Sequence, residues 1–127
     1  MNWIVLLIAS VVGYIIPMIW YAPGVFGKTW QKLSGLKEMN PSIGIVIKGF
    51  IVTLVFNGVI LWVIKYAGVN TFLEGMKIGA ILWVGFIATS QLDGVLYLKK
   101  PLTLYWITSI QYLVSMIIVS GILAVWQ

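Results

Sequence analysis

The chain has 127 residues, of which 61% are hydrophobic and 9% are charged, with a net charge of +5 at pH 7. Soluble globular chains carry about 25% charged residues, so this composition excludes an ordinary soluble domain. The chain contains no cysteine and no histidine, which excludes disulfides, thiolate nucleophiles and imidazole metal sites. We therefore predict no cofactor and no metal site. The basic residues, all lysines, lie at helix ends rather than on one clustered face, so nucleic acid is not an expected partner.

Four apolar stretches, at about 3–21, 43–66, 72–98 and 102–126, fill most of the chain. A bilayer core requires about 20 apolar residues per helix. We therefore predict one all-α transmembrane domain over residues 1–127, an integral membrane four-helix bundle whose first partner is the lipid bilayer. The first stretch has no positive segment before it and no cleavage site after it, so we interpret it as a retained span rather than a signal peptide.

Pro17 lies inside the first span, where it cannot donate to the carbonyl of Gly13 and is expected to kink the helix. After this span, Phe26, Trp30 and Leu33 recur at the spacing of one helix face. This pattern predicts a short amphipathic helix at about 25–34 that lies in the membrane interface.

Two signals mark the ends of these helices. Gly35 is expected to end the interfacial helix. Asn40 and Pro41 are expected to supply the N-cap and first position of the second span.

The lysines of the loops predict the orientation. Five of them lie in the first and third loops: Lys28, Lys32, Lys37, Lys99 and Lys100. Lys65 and Lys77 flank the second loop. Cytoplasmic loops carry the excess of lysine, so we predict both termini outside (N-out/C-out).

Each predicted span carries a polar or amphipathic side chain near its middle: Tyr14, Asn57, Trp83 and Tyr112, with Gln111 beside the last. In lipid every polar group needs a partner. We expect interhelical hydrogen bonds, each worth about 0.6 kcal/mol or somewhat more. The alternative is a small polar cavity lined by these groups.

Small residues in the third span form a stripe along one face. Gly75 and Gly79 are four apart, as are Ser90 and Gly94, and such pairs allow close approach of membrane helices. The stripe also includes Leu82, Phe86 and Asp93. Packing within the bundle is the first interpretation, and a homo-oligomer seam is the alternative.

Asp93 is the strongest candidate for a functional residue, because a carboxylate inside a membrane span costs free energy and usually serves a function. Lys48 lies at a matching depth in the second span, which predicts a Lys48–Asp93 ion pair. Lys48 and Asn57 lie on opposite faces of their helix, however, so they cannot both face the bundle centre, and the alternative for Lys48 is to snorkel to the headgroups. The pair is either structural or a site for a proton or cation. Glu74 and Lys77 are expected to pair at the opposite end of the third span.

One segment carries a resemblance. Residues 20–30 read W-Y-x-P-x-x-F-G-K-x-W, through Trp20, Tyr21, Pro23, Phe26, Gly27, Lys28 and Trp30. Together with residues 83–86 and 99–101, this run resembles a bacterial family of small four-span membrane proteins of unknown function. The resemblance implies the fold, the topology and a multi-pass location in a bacterial cytoplasmic (inner) membrane, but no activity. The run itself is either a membrane-surface staple or a docking surface on which Lys28 contacts an anion.

Three classes of function remain. The first, which we favour from the sequence, is a non-enzymatic helical module that assembles with itself or with a membrane partner. The second is a small ion- or proton-coupled transporter or channel that uses Asp93. An intramembrane enzyme is the least favoured, because no plausible general base accompanies any nucleophile.

Overall fold

The computed structural model describes residues 2–35 and 42–126. The described chain forms five helices without strands: α1 (Trp3–Trp20), α2 (Gly27–Ser34), α3 (Ile43–Ala67), α4 (Phe72–Leu96) and α5 (Leu102–Val125). Four of them, all but α2, are long and apolar enough to cross a membrane. The predicted all-α bundle is therefore confirmed, with span ends that differ by one or two residues.

The helix ends follow ordinary capping chemistry. Ser42 caps α3 by accepting a hydrogen bond from the Ile45 amide at 3.3 Å, while the predicted cap at Asn40 and Pro41 lies outside the described residues. Gly35 ends α2 in the left-handed conformation, as predicted. Thr71 caps α4 and donates to the Glu74 carboxylate at 2.9 Å. Within the described residues, the Glu74 side chain accepts this hydrogen bond from Thr71 and does not form the predicted pair with Lys77.

Helix α5 is the centre of the bundle. Half of the residues in its apolar 18-residue stretch are buried, against 11–22% in the corresponding stretches of the other three long helices. The core lies near the end that holds both termini, and its members come from α1, α3 and α5: Leu6, Ala9, Ile60, Leu61, Ile64, Val119 and Leu123. The bundle is thus closed at this end.

Glycines bring α4 and α5 into close contact. A Cβ on Gly79 would lie 2.7 Å from the Ser120 hydroxyl oxygen, and one on Gly75 would lie 2.7 Å from the Cβ of Ala124. Both glycines therefore serve packing within the bundle, which was the first interpretation of the stripe. Because their faces are covered by α5, they are unavailable to a homo-oligomer seam.

The middle of α4 is a π-helical segment, Trp83–Ala88. A π segment holds about one extra residue, and that residue rotates every later side chain by about 100° relative to an uninterrupted α-helix. The predicted stripe is broken here. Phe86, expected to face inward, is 69% exposed, and Ile87 packs against the core instead.

Candidate functional site: a polar groove at the lysine-rich end

A groove of about 900 Å³ opens at the end of the bundle that holds the first and third loops. It lies between the four long helices, with Trp30 and Ser34 of α2 at its mouth. Along α5 it extends from Leu104 to Val119, about 22 Å at the rise of an α-helix. Its polar lining includes Asn57, Gln91, Asp93, Thr108, Gln111 and Ser115. The groove therefore brings a carboxylate, amides and hydroxyls into one space.

Asp93 lies on α4 after the π segment and lines the groove. Lys48 does not line it, and both side chains are exposed. Helices α3 and α4 contact each other little, and within the described residues the predicted Lys48–Asp93 ion pair is not formed. The reason lies in α3. Asn57 is buried, so Lys48, nine residues earlier, faces the opposite side of that helix.

Ser90 and Gly94, the second small-residue pair, also line the groove. Ser90 is exposed, and its hydroxyl donates to the carbonyl of Phe86. Gly94 lies under the stem of Lys100, whose Cδ would be 3.3 Å from a Cβ on that glycine. This pair therefore borders the groove rather than the tight α4–α5 contact.

Three of the mid-membrane groups make the interhelical hydrogen bonds that the sequence predicts. Asn57 donates to the Ser10 hydroxyl at 3.2 Å, joining α3 to α1. The Tyr14 hydroxyl donates to the carbonyl of Val46 at 3.4 Å, between the same helices. Trp83 joins α4 to α5 through its indole.

The other two groups, Gln111 and Tyr112, line the groove. Gln111 donates to Ser115 within α5 at 2.8 Å, and the ring of Tyr112 lies 6.2 Å from that of Phe56 in α3. Tyr14 and Trp83 thus form interhelical hydrogen bonds, Gln111 and Tyr112 line the polar groove, and Asn57 does both.

Indole N–H groups hold α5 from two sides. Trp20 donates to the carbonyl of Ile107 at 3.0 Å, and Trp83 donates to that of Ser109 at 2.7 Å. The sequence analysis placed Trp20 among the residues of the first-loop run and missed this bond. The signal was present, since a partly buried indole N–H requires an acceptor, but the identity of a backbone acceptor cannot be read from a sequence.

The first-loop segment, residues 20–30, folds back on the end of α1. The ring of Phe26 lies 4.6 Å from that of Trp20, and the ring of Trp30 lies 4.9 Å from that of Tyr21. Gly27 is buried at the turn, where a Cβ would overlap the carbonyl oxygen of Tyr21. These contacts form a staple between the start of α2 and the end of α1, and its predicted place at the membrane surface stays a prediction.

Tyr21 and Lys28 face different surroundings in this segment. Tyr21 lies just beyond α1 and lines the groove. Burial, with Tyr112 as a second cause, raises the pKa of the Tyr21 phenol to about 12. Lys28 and Pro23 are exposed, and the anion contact predicted for Lys28 stays a prediction.

The fold and the groove together define a small helical protein with four helices able to cross a membrane and an internal polar site. The chain belongs to the family described as protein of unknown function DUF1761, whose model matches residues 4–124. No curated protein and no solved structure matches it. The matched range includes nearly all of every described helix, so the family match applies to the whole bundle. Because the function of the family is unknown, the match assigns no activity.

Proposed function

We propose that this chain is a non-enzymatic membrane protein of the small transporter or channel class, which binds a solute in its groove with Asp93 as the charged group. The observation that carries the proposal is the groove itself, which places Asp93 in one space with Gln91, Thr108 and Gln111. This reverses the order favoured from the sequence, because Gly75 and Gly79, which suggested a seam, are covered by α5.

The shape of the groove supports a transport role. It opens at the lysine-rich end, while the core near the other end is closed. Access from one side at a time is how secondary transporters expose a site near the middle of the membrane. Reaction chemistry has less support, since a chain without histidine or cysteine would depend there on Asp93 alone.

The proposal includes a location. We infer a multi-pass protein of a bacterial cytoplasmic membrane, with the groove open to the cytoplasm and both termini outside. Lys28, Lys32, Lys99 and Lys100 support this orientation, because they lie at the end where the groove opens.

The test is flux of protons and potassium ions in proteoliposomes that contain wild type, Asp93→Asn or Glu74→Gln. Glu74 is the matched control, since its carboxylate accepts a hydrogen bond from Thr71 at the opposite end of α4. We expect flux in wild type and Glu74→Gln, and its loss in a folded Asp93→Asn. Equal flux in all three proteins, or no flux in any, would contradict the proposal.

A second candidate is the module that assembles with itself or with a membrane partner. The observation in its favour is that α3 and α4 contact each other little, which leaves the side of the groove open to a helix from another chain. Ser90 and Gly94 border that opening, so their small side chains would permit close approach.

A further inference from the structure

We propose that the ligand of the groove is a monovalent organic cation with an apolar, partly aromatic body. Its charge would lie opposite the Asp93 carboxylate, and its body against the aromatic rings of the lining. This inference rests on the proposed function, because it names the class of solute that the same site takes.

The single carboxylate of the site favours a ligand with one positive charge. Asp93 lines the groove, is exposed, and forms no ion pair within the described chain, so its carboxylate is free to bind a cation that enters the groove. The described residues hold no group of three or more acidic or other metal-ligating side chains, whereas Ca²⁺ takes six to eight oxygen ligands. One carboxylate fits a monovalent cation.

The size of the site selects an organic ion. Cavities of 300–1,000 Å³ are typical for drug-sized ligands, and the groove, at about 900 Å³, lies in this range. A bare ion would occupy little of that space. The limited contact between α3 and α4 leaves the groove open on one side, so a ligand with an apolar body can also enter from the bilayer.

Two aromatic pairs supply the surface for the body. Tyr21 packs on Trp30 at 4.9 Å between ring centroids, and Phe56 packs near Tyr112 at 6.2 Å. The first pair joins the end of α1 to α2, the second joins α3 to α5, and both line the groove. Aromatic faces attract organic cations through the ring quadrupole and are the usual recognition surface for quaternary ammonium groups. The rings and the carboxylate thus favour the same ligand.

Lys100 also lines the mouth and opposes a cation. Its stem covers Gly94, the neighbour of Asp93, and its amide donates to the Gly94 carbonyl at 3.0 Å. Removal of this charge by Lys100→Gln should therefore tighten cation binding, and the effect should shrink in salt.

The experiment measures equilibrium binding of benzyltrimethylammonium and of neopentylbenzene, its uncharged carbon isostere, to the full chain in nanodiscs, with empty nanodiscs subtracted. We expect wild type and Asp93→Glu to bind the cation at least about tenfold more tightly than the isostere. Asp93→Asn should reduce that preference strongly and leave only the contribution of the rings. Tyr112→Leu should weaken cation binding, while Tyr112→Phe, which keeps the ring, should not.

Equal binding of the two compounds by wild type would overturn the inference, as would an undiminished preference in Asp93→Asn. The outcome is separable from that of the flux measurement. If Asp93-dependent proton or potassium flux is present but benzyltrimethylammonium neither binds nor inhibits it, the organic cation is rejected and the proposed function stands. If both flux and binding are absent, both proposals are rejected.

Discussion

At the scale of single residues, the groove and the staple depend on a few close approaches. Gly27 is buried where α2 turns back on α1, and the carbonyl of Tyr21 occupies the space that a Cβ would need. A Cβ added to Gly24, three residues earlier, would have no neighbour within 4 Å. The two glycines therefore lie in the same segment, but only Gly27 is closely packed.

We predict that Gly27→Ala destabilises the protein by roughly 1–3 kcal/mol, the usual cost of overpacking, because α2 must move away from Tyr21. Gly24→Ala is the control and should change the free energy of unfolding little. The measurement is reversible unfolding in detergent micelles, followed by tryptophan fluorescence. Equal stability of the two variants would show that the staple tolerates the methyl group.

At the scale of elements, the sequence predicts the five helices well and the course of α4 poorly. Hydropathy and capping residues define where the helices lie, because bilayer thickness and unsatisfied backbone groups constrain every span. Hydropathy and capping residues do not predict the π segment. Its carbonyls at Gly85 and Ala88 accept from the hydroxyls of Thr89 and Tyr105, at 2.7 and 2.8 Å, and the second bond depends on tertiary packing.

Deletion of Val84, an exposed residue of the π segment, removes the extra residue and should restore an α-helical course while Asp93 keeps facing the groove. We predict that a cysteine introduced by Asp93→Cys then reacts with a water-soluble maleimide at nearly the rate found in the chain without the deletion. The natural chain has no cysteine, so the label reports one site. Val84→Ala is the control, and a loss of reactivity in the deletion variant alone would refute the one-residue excess assigned to the π segment.

At the scale of the whole molecule, the bundle is closed at the end with the termini and open at the lysine-rich end. The sequence analysis named Asp93, Gln111 and Tyr112 but paired Asp93 with Lys48. Depth along a span can be read from residue number, whereas the separation of α3 from α4 follows from packing on α5. A polar cavity lined by Gln111 and Tyr112 was therefore among the alternatives from the sequence, whereas Gln91 and the separation of Asp93 from Lys48 were missed.

The most direct test of the account is whether water reaches the middle of the bundle from the lysine-rich side. Ser115 lines the groove about 20 Å from the start of α5, and Ser120 on the same helix is fully buried. The measurement is labelling of Ser115→Cys and Ser120→Cys by a membrane-impermeant maleimide in oriented vesicles. We predict that only Ser115→Cys is labelled, and only from the lysine-rich side. Protection of both cysteines would contradict the open groove and favour a bundle whose opening is filled by another chain.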